Sequence, residues 1–307
     1  MVALDNLFQR FINSRAALAL GLALSSVPPR VGYSVARWMG NQIAKLKSNP
    51  MVQGVRANQW VIYGENLTAR ELDAAVTATF QSSVRSLYEF WHFHRDPEAI
   101  KAMVEIDPSF SNCFEQARQA KTGLLMVAPH LSNFDVVGRA AVLHGFPLHI
   151  LSYPQPSGGY RLQNRLRAMP GLTVTPLSVG ALHDVSATLH SGGAVVTGAD
   201  RPLTDPDNKY RLRFFGRSAN LPVFYIRLAF KHHLPIVVTG GMRKPDGTYL
   251  VWASDPIPMA SNPDLVQETV QNAETVLDCL AKFIQRAKDQ WAMFYPVWPE
   301  VLDEIPA

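Results

Sequence analysis

The chain has 307 residues, of which 47% are hydrophobic and 18% charged, enough apolar side chain for a sizeable core and too much for a disordered chain. The net charge of +4 favours anionic partners such as phosphates or anionic lipid head groups; with no nucleic-acid motif in the chain, nucleic acid is excluded as a partner. Two cysteines, Cys113 and Cys279, give neither a disulfide framework nor a zinc spacing, and a reducing compartment is the expectation.

No run reaches the roughly 18 apolar residues that mark a membrane-spanning helix. The longest, AALALGLALSSV at 16–27, follows Arg10 and Arg15. Ala23-Leu24-Ser25 resembles a signal-peptide cleavage site, but the approach is a long amphipathic stretch carrying Asp5 and Asn6, and the chain continues through Pro28-Pro29 into another helical pattern. Residues 1–27 are therefore read as a helix lying in a membrane interface, and 28–307 as a single domain.

The first 120 residues read as helices, at 5–24, 28–46 and 68–93. The last repeats Leu72, Val76, Phe80, Val84, Leu87 and Trp91 at helical spacing. After Lys121 apolar runs of strand length alternate with helical segments. Strands are expected at 124–128, 148–152, 172–175, 194–198, 235–240 and, as an edge strand, 248–253. Helices are expected at 133–144, 159–169, 179–190, 221–232 and 263–288. This alternation predicts an α/β fold with a central, mostly parallel sheet covered by helices on both faces. In such sheets ligands bind beyond the carboxyl ends of the strands, so the loops after Ala128, Ser152, Thr175, Gly198 and Gly240 are the candidate site.

The first of these loops reads Ala128-Pro129-His130-Leu131-Ser132-Asn133-Phe134-Asp135. His130 follows a buried strand, and Asp135 falls in the first turn of the next helix. A loop followed by one helical turn can bring these two side chains together. The carboxylate then fixes the imidazole tautomer and leaves the other ring nitrogen basic. No serine or cysteine nucleophile is needed if the substrate supplies a hydroxyl. The competing reading is a loop histidine beside a first-turn carboxylate that merely suits the helix dipole.

The block APHLSNFD resembles the H-x4-D motif of the lysophospholipid acyltransferase superfamily. AVVTGADRP followed by RLRFFGRSANLP resembles the bacterial lipid A lauroyl/myristoyl acyltransferases and the related phosphatidylinositol mannoside acyltransferases, with Asp200 and Phe214-Phe215-Gly216 at matching positions. QWAMFYPVWPE is similar to the family's tryptophan-rich end, and the likeness runs over about residues 15 to 300. The lipid A branch commonly carries Glu where this chain has Asp135, as the glycerolipid and mannoside enzymes do. The resemblance implies acyl transfer from acyl-CoA or acyl carrier protein to a hydroxyl of a membrane glycolipid or phospholipid precursor. It implies His130 and Asp135 as catalytic residues, no metal or cofactor, and peripheral or monotopic attachment to the cytoplasmic face of the cell membrane.

Basic residues gather in the same loops: Arg161, Arg165 and Arg167 on one helix, and Arg201, Lys209, Arg211, Arg213 and Arg217 after Gly198. Arginine pairs with phosphate oxygens, so Arg165, Arg201 and Arg217, with Asn133 and Asp200, are the expected substrate contacts. A solvated basic face is the alternative. Two other functions remain open on the residues alone: a hydrolase using the same pair to activate water, and a non-catalytic lipid-binding protein.

Overall fold

The computed structural model describes residues 23, 26–152, 154, 158–205 and 208–306. The interfacial helix expected over 5–24 lies outside them apart from residue 23.

Three helices come first: α1 (Pro29–Ala44), α2 (Pro50–Ile62) and α3 (Ala69–Phe93). Thr68 starts α3 with a capping box: its hydroxyl accepts from the Glu71 N–H at 3.3 Å, and its own N–H donates to Glu71 at 2.8 Å. Val52, Val55, Leu72, Val76 and Phe80 form a small buried cluster where α2 meets α3. Gly40 lets α1 lie directly on α3, since a Cβ there would stand 2.6 Å from the Gln81 backbone.

Next come α4 (Pro97–Ala102), β1 (Val104–Ile106) and α5 (Pro108–Ala120), and then the alternating region. It runs β2 (Leu124–Ala128), α6 (Phe134–Leu143), β3 (Leu148–Ser152), α7 (Gly158–Arg167), β4 (Leu172–Pro176), α8 (Val179–His190) and β5 (Ala194–Gly198). A short antiparallel hairpin, β6 (Leu212–Phe214) and β7 (Arg217–Ala219), precedes α9 (Phe224–His232), β8 (Ile236–Arg243), β9 (Tyr249–Ala253) and α10 (Leu265–Arg286). The seven-stranded sheet has the order β1-β9-β8-β2-β5-β3-β4. The five strands from β8 to β4 are parallel, and β9 runs antiparallel to β8.

Both faces of the sheet are buried, which is why its strands read as unbroken apolar runs. Along β2, Leu125 and Val127 face a core shared with Val185 and Leu189 of α8, Leu228 of α9 and Leu277 and Leu280 of α10. Leu124 and Met126 face the other side, against Phe110 of α5 and Val136, Val137 and Ala140 of α6. The mostly parallel α/β sheet with helices on both faces is thus present. Two elements differ from the sequence reading. β9 is not an edge strand, because β1 pairs with its outer side. β1 has only three residues, too few for period-two alternation to show.

Candidate active site

Strands β2 and β5 are in-register parallel neighbours, with Ala128 opposite Gly198. Their loops leave the same edge side by side. His130 lies two residues beyond Ala128, and Asp200 two beyond Gly198, so the pairing brings the two residues together. His130 Nδ1 meets Asp200 Oδ1 at 2.6 Å, and the His130 backbone N–H donates to Asp200 Oδ2 at 2.7 Å. Trp291 Nε1 donates to the same Oδ2 at 2.8 Å.

Asp200 is fully buried. Burial alone would raise its carboxyl, but the facing charge of His130 and the hydrogen bonds from His130 and Trp291 prevail and hold it below the ordinary aspartate range. An ionised Asp200 accepts, so the shared proton belongs on Nδ1 and Nε2 is left as the basic nitrogen. The imidazole keeps 33% of its surface exposed and lines a cavity of about 750 Å³. Gly198 makes room for the ring: a Cβ there would come within 3.0 Å of its Cε1. The loop is held from behind by the segment after α10, where Ser132 N–H donates to Gln290 O at 2.6 Å and Ala292 N–H to His130 O at 2.8 Å.

The cavity is mostly apolar. It is lined by Val137, Gly138 and Ala141 of α6 and by Leu148, Ile150, Leu172 and Val196 of the sheet, and Arg201, Arg211, Asn220 and Tyr295 also border it. Phe134, 40% exposed, sets its ring edge-on to His130 with centroids 5.7 Å apart.

Several expectations are corrected. Asp135 is not the partner of His130. The cap at Asn133 starts α6 so that Asp135, in its first turn, meets α7: Arg167 pairs with it through both Nε and Nη2, and Gln163 Nε2 donates to it at 3.1 Å. Asp200, expected to touch substrate, is instead buried under His130. Asn133, also expected to touch substrate, is 3% exposed, and its amide is engaged by Ser86 O, Glu89 and the Val136 N–H. Arg217 is held by Glu65 and Glu304 and does not border the cavity. Arg165 is exposed on α7 and also lies off the cavity, whereas its neighbour Arg167 lines it. Arg201 does line the cavity, with its guanidinium 4.3 Å from the centre of the Tyr295 ring. Trp291 was legible only as part of a similar tail, and its hold on Asp200 had no sequence signal. Among the described residues no cluster of His, Cys, Asp or Glu is placed to hold a metal ion, and no helix is long and apolar enough to cross a membrane.

The site is thus a histidine held by a buried carboxylate at the carboxyl edge of a parallel sheet, beside an apolar cavity, an arrangement in which the second ring nitrogen can accept a proton. The chain belongs to the bacterial lipid A biosynthesis acyltransferase family, whose profile matches residues 9–300. This makes it an acyltransferase of lipid biosynthesis. Comparison with curated proteins gives no significant match.

Proposed function

We propose that the protein moves a fatty acyl group from an acyl thioester, carried by coenzyme A or acyl carrier protein, onto a hydroxyl of a membrane glycolipid or phospholipid precursor. His130 is the general base and Asp200 its orienting partner. The observation that carries this reading is the two-point grip of Asp200 on His130, through Nδ1 and the backbone N–H, beside an apolar cavity. In the proposed step Nε2 takes the proton of the acceptor hydroxyl as its oxygen attacks the thioester carbonyl. The tetrahedral intermediate collapses, the C–S bond breaks, and the imidazolium returns its proton to the leaving thiolate. The buried charge of Asp200 stabilises the imidazolium meanwhile.

The cleft between α6 and the sheet supplies an apolar bed for the acyl chain, each buried methylene contributing about 0.8 kcal/mol. Arg201 and Arg211 at its border suit a phosphate of donor or acceptor. Asp135 serves as the anchor of Arg167. Attachment to the cytoplasmic membrane surface, through residues 1–27, brings this site to its lipid acceptor. The test is to incubate the full chain with acyl-CoA or acyl carrier protein thioester, with and without bacterial membrane lipid, and to identify products by mass spectrometry. Acyl transfer predicts thiol release that depends on the lipid, with the acyl group recovered on it. Equal release of free fatty acid without lipid would favour hydrolysis.

A further inference from the structure

The Glu89 carboxylate, in the body of α3, is wholly buried, and the chemistry above does not use it. Three donors converge on it from three parts of the chain. Oε1 accepts from Arg85 Nε at 2.8 Å, and Oε2 accepts from Asn133 Nδ2 at 3.1 Å and from the Tyr249 hydroxyl of β9. Burial, and next the Glu89 charge, push the Tyr249 hydroxyl far above the usual phenol range, so it stays protonated as a donor. A buried carboxylate is costly, and packing alone would be met as well by an apolar residue. What Glu89 adds is a fixed acceptor for Asn133.

Asn133 is pinned at both ends of its side chain. Nδ2 reaches Glu89 and, at 3.2 Å, Ser86 O; Oδ1 accepts from the Val136 N–H at 3.3 Å and caps α6. Between Asn133 and His130 stands Ser132, with φ of 57°, a left-handed conformation that a non-glycine residue adopts only under constraint. Upstream that constraint comes from Asp200, Gln290 and Ala292 on His130 and Ser132. Downstream it comes from Asn133.

We infer that Glu89 is a positioning residue for His130, acting through Asn133 to hold the left-handed turn at Ser132 and so the imidazole against Asp200. The inference rests on the reading of His130 as the base, and its test carries one readout independent of that reading.

Glu89→Gln, Asn133→Asp and Tyr249→Phe are compared as full-length proteins. Transfer is followed with palmitoyl-CoA and bacterial membrane lipid, and the His130 Nδ1–H resonance by NMR of histidine-labelled protein. Glu89→Gln presents an amide where three donors meet. Asn133→Asp keeps an oxygen for the α6 cap but sets a second carboxylate against Glu89. Both are expected to lower kcat about 10²-fold with KM little changed, the size of effect produced by misplacing a reacting group. Both should also lose the deshielded Nδ1–H signal to exchange. Tyr249→Phe leaves the bond to Asn133 in place and is expected to keep kcat and the signal, whatever its melting temperature does. Folded Glu89→Gln or Asn133→Asp with wild-type kcat and signal would overturn the inference; should Glu89→Gln fail to fold, Asn133→Asp decides. Loss of the signal in a protein whose wild type shows no transfer would support the positioning role while refuting acyl transfer.

Discussion

Replacing Asp200 by asparagine keeps the shape of the site and removes its charge. The three N–H groups that Asp200 now accepts, from His130 N, His130 Nδ1 and Trp291 Nε1, then face an amide with one oxygen. If that oxygen serves His130 N and Trp291, which share Oδ2, the NH2 points at Nδ1. It forces the tautomer in which Nδ1 accepts and Nε2 carries the proton, so the nitrogen facing the cavity is no longer a base. The loss should approach that of the whole general base, roughly 10² to 10⁴ in kcat, or about 3 to 5 kcal/mol of barrier. Two of the three hydrogen bonds survive, so melting should fall modestly. The assay is lipid-dependent thiol release under saturating donor, with thermal melting as the control for folding. A folded Asp200→Asn protein with kcat within a few fold of wild type would refute the tautomer argument.

Asp135→Asn should spare most of kcat and raise KM, because Asp135 holds Arg167 at the cavity wall; a loss of kcat matching that of His130→Ala would contradict this. Gly198→Ala places a methyl 3.0 Å from the His130 ring and should cost on the order of 10-fold in kcat, read by steady-state kinetics. Gly138→Leu or Ala141→Phe should narrow the cleft between α6 and the sheet and shift donor preference to shorter acyl chains, measured by competition among thioesters. The carboxyl of Asp200 lies below its unfolded value of about 3.9, so its stabilisation is present above that pH and is lost as pH falls through the folded value. Melting scans should therefore show wild type losing more stability below about pH 4 than Asp200→Asn does.

The α/β alternation was legible because strands buried on both faces are written as short apolar runs, and β2, β3 and β5 emerge with the bounds their runs suggest. His130 was legible from its place after β2. Its partner was not. Asp135 is near in sequence, and the loop geometry allowed the contact, but the left-handed turn at Ser132 and the cap at Asn133 aim it at α7. Asp200, 70 residues away, reaches His130 because β5 pairs with β2, and strand order is a long-range property that no local pattern encodes. The same holds for Trp291, and for Arg217, whose guanidinium is taken by Glu65 and Glu304 from opposite ends of the chain. The hairpin of β6 and β7 is too short to stand out from a loop.

The central claim, that His130 and Asp200 act as one unit in acyl transfer, is tested most directly by a double-mutant cycle. His130→Ala, Asp200→Asn and the double variant, each confirmed as folded, are assayed for acyl-lipid formation by mass spectrometry. The account predicts a loss of roughly 10² to 10⁴ for His130→Ala, a comparable loss for Asp200→Asn, and little further loss when the two are combined, since Asp200 works only through His130. Near-normal transfer by His130→Ala, or single losses that simply multiply in the double variant, would contradict it.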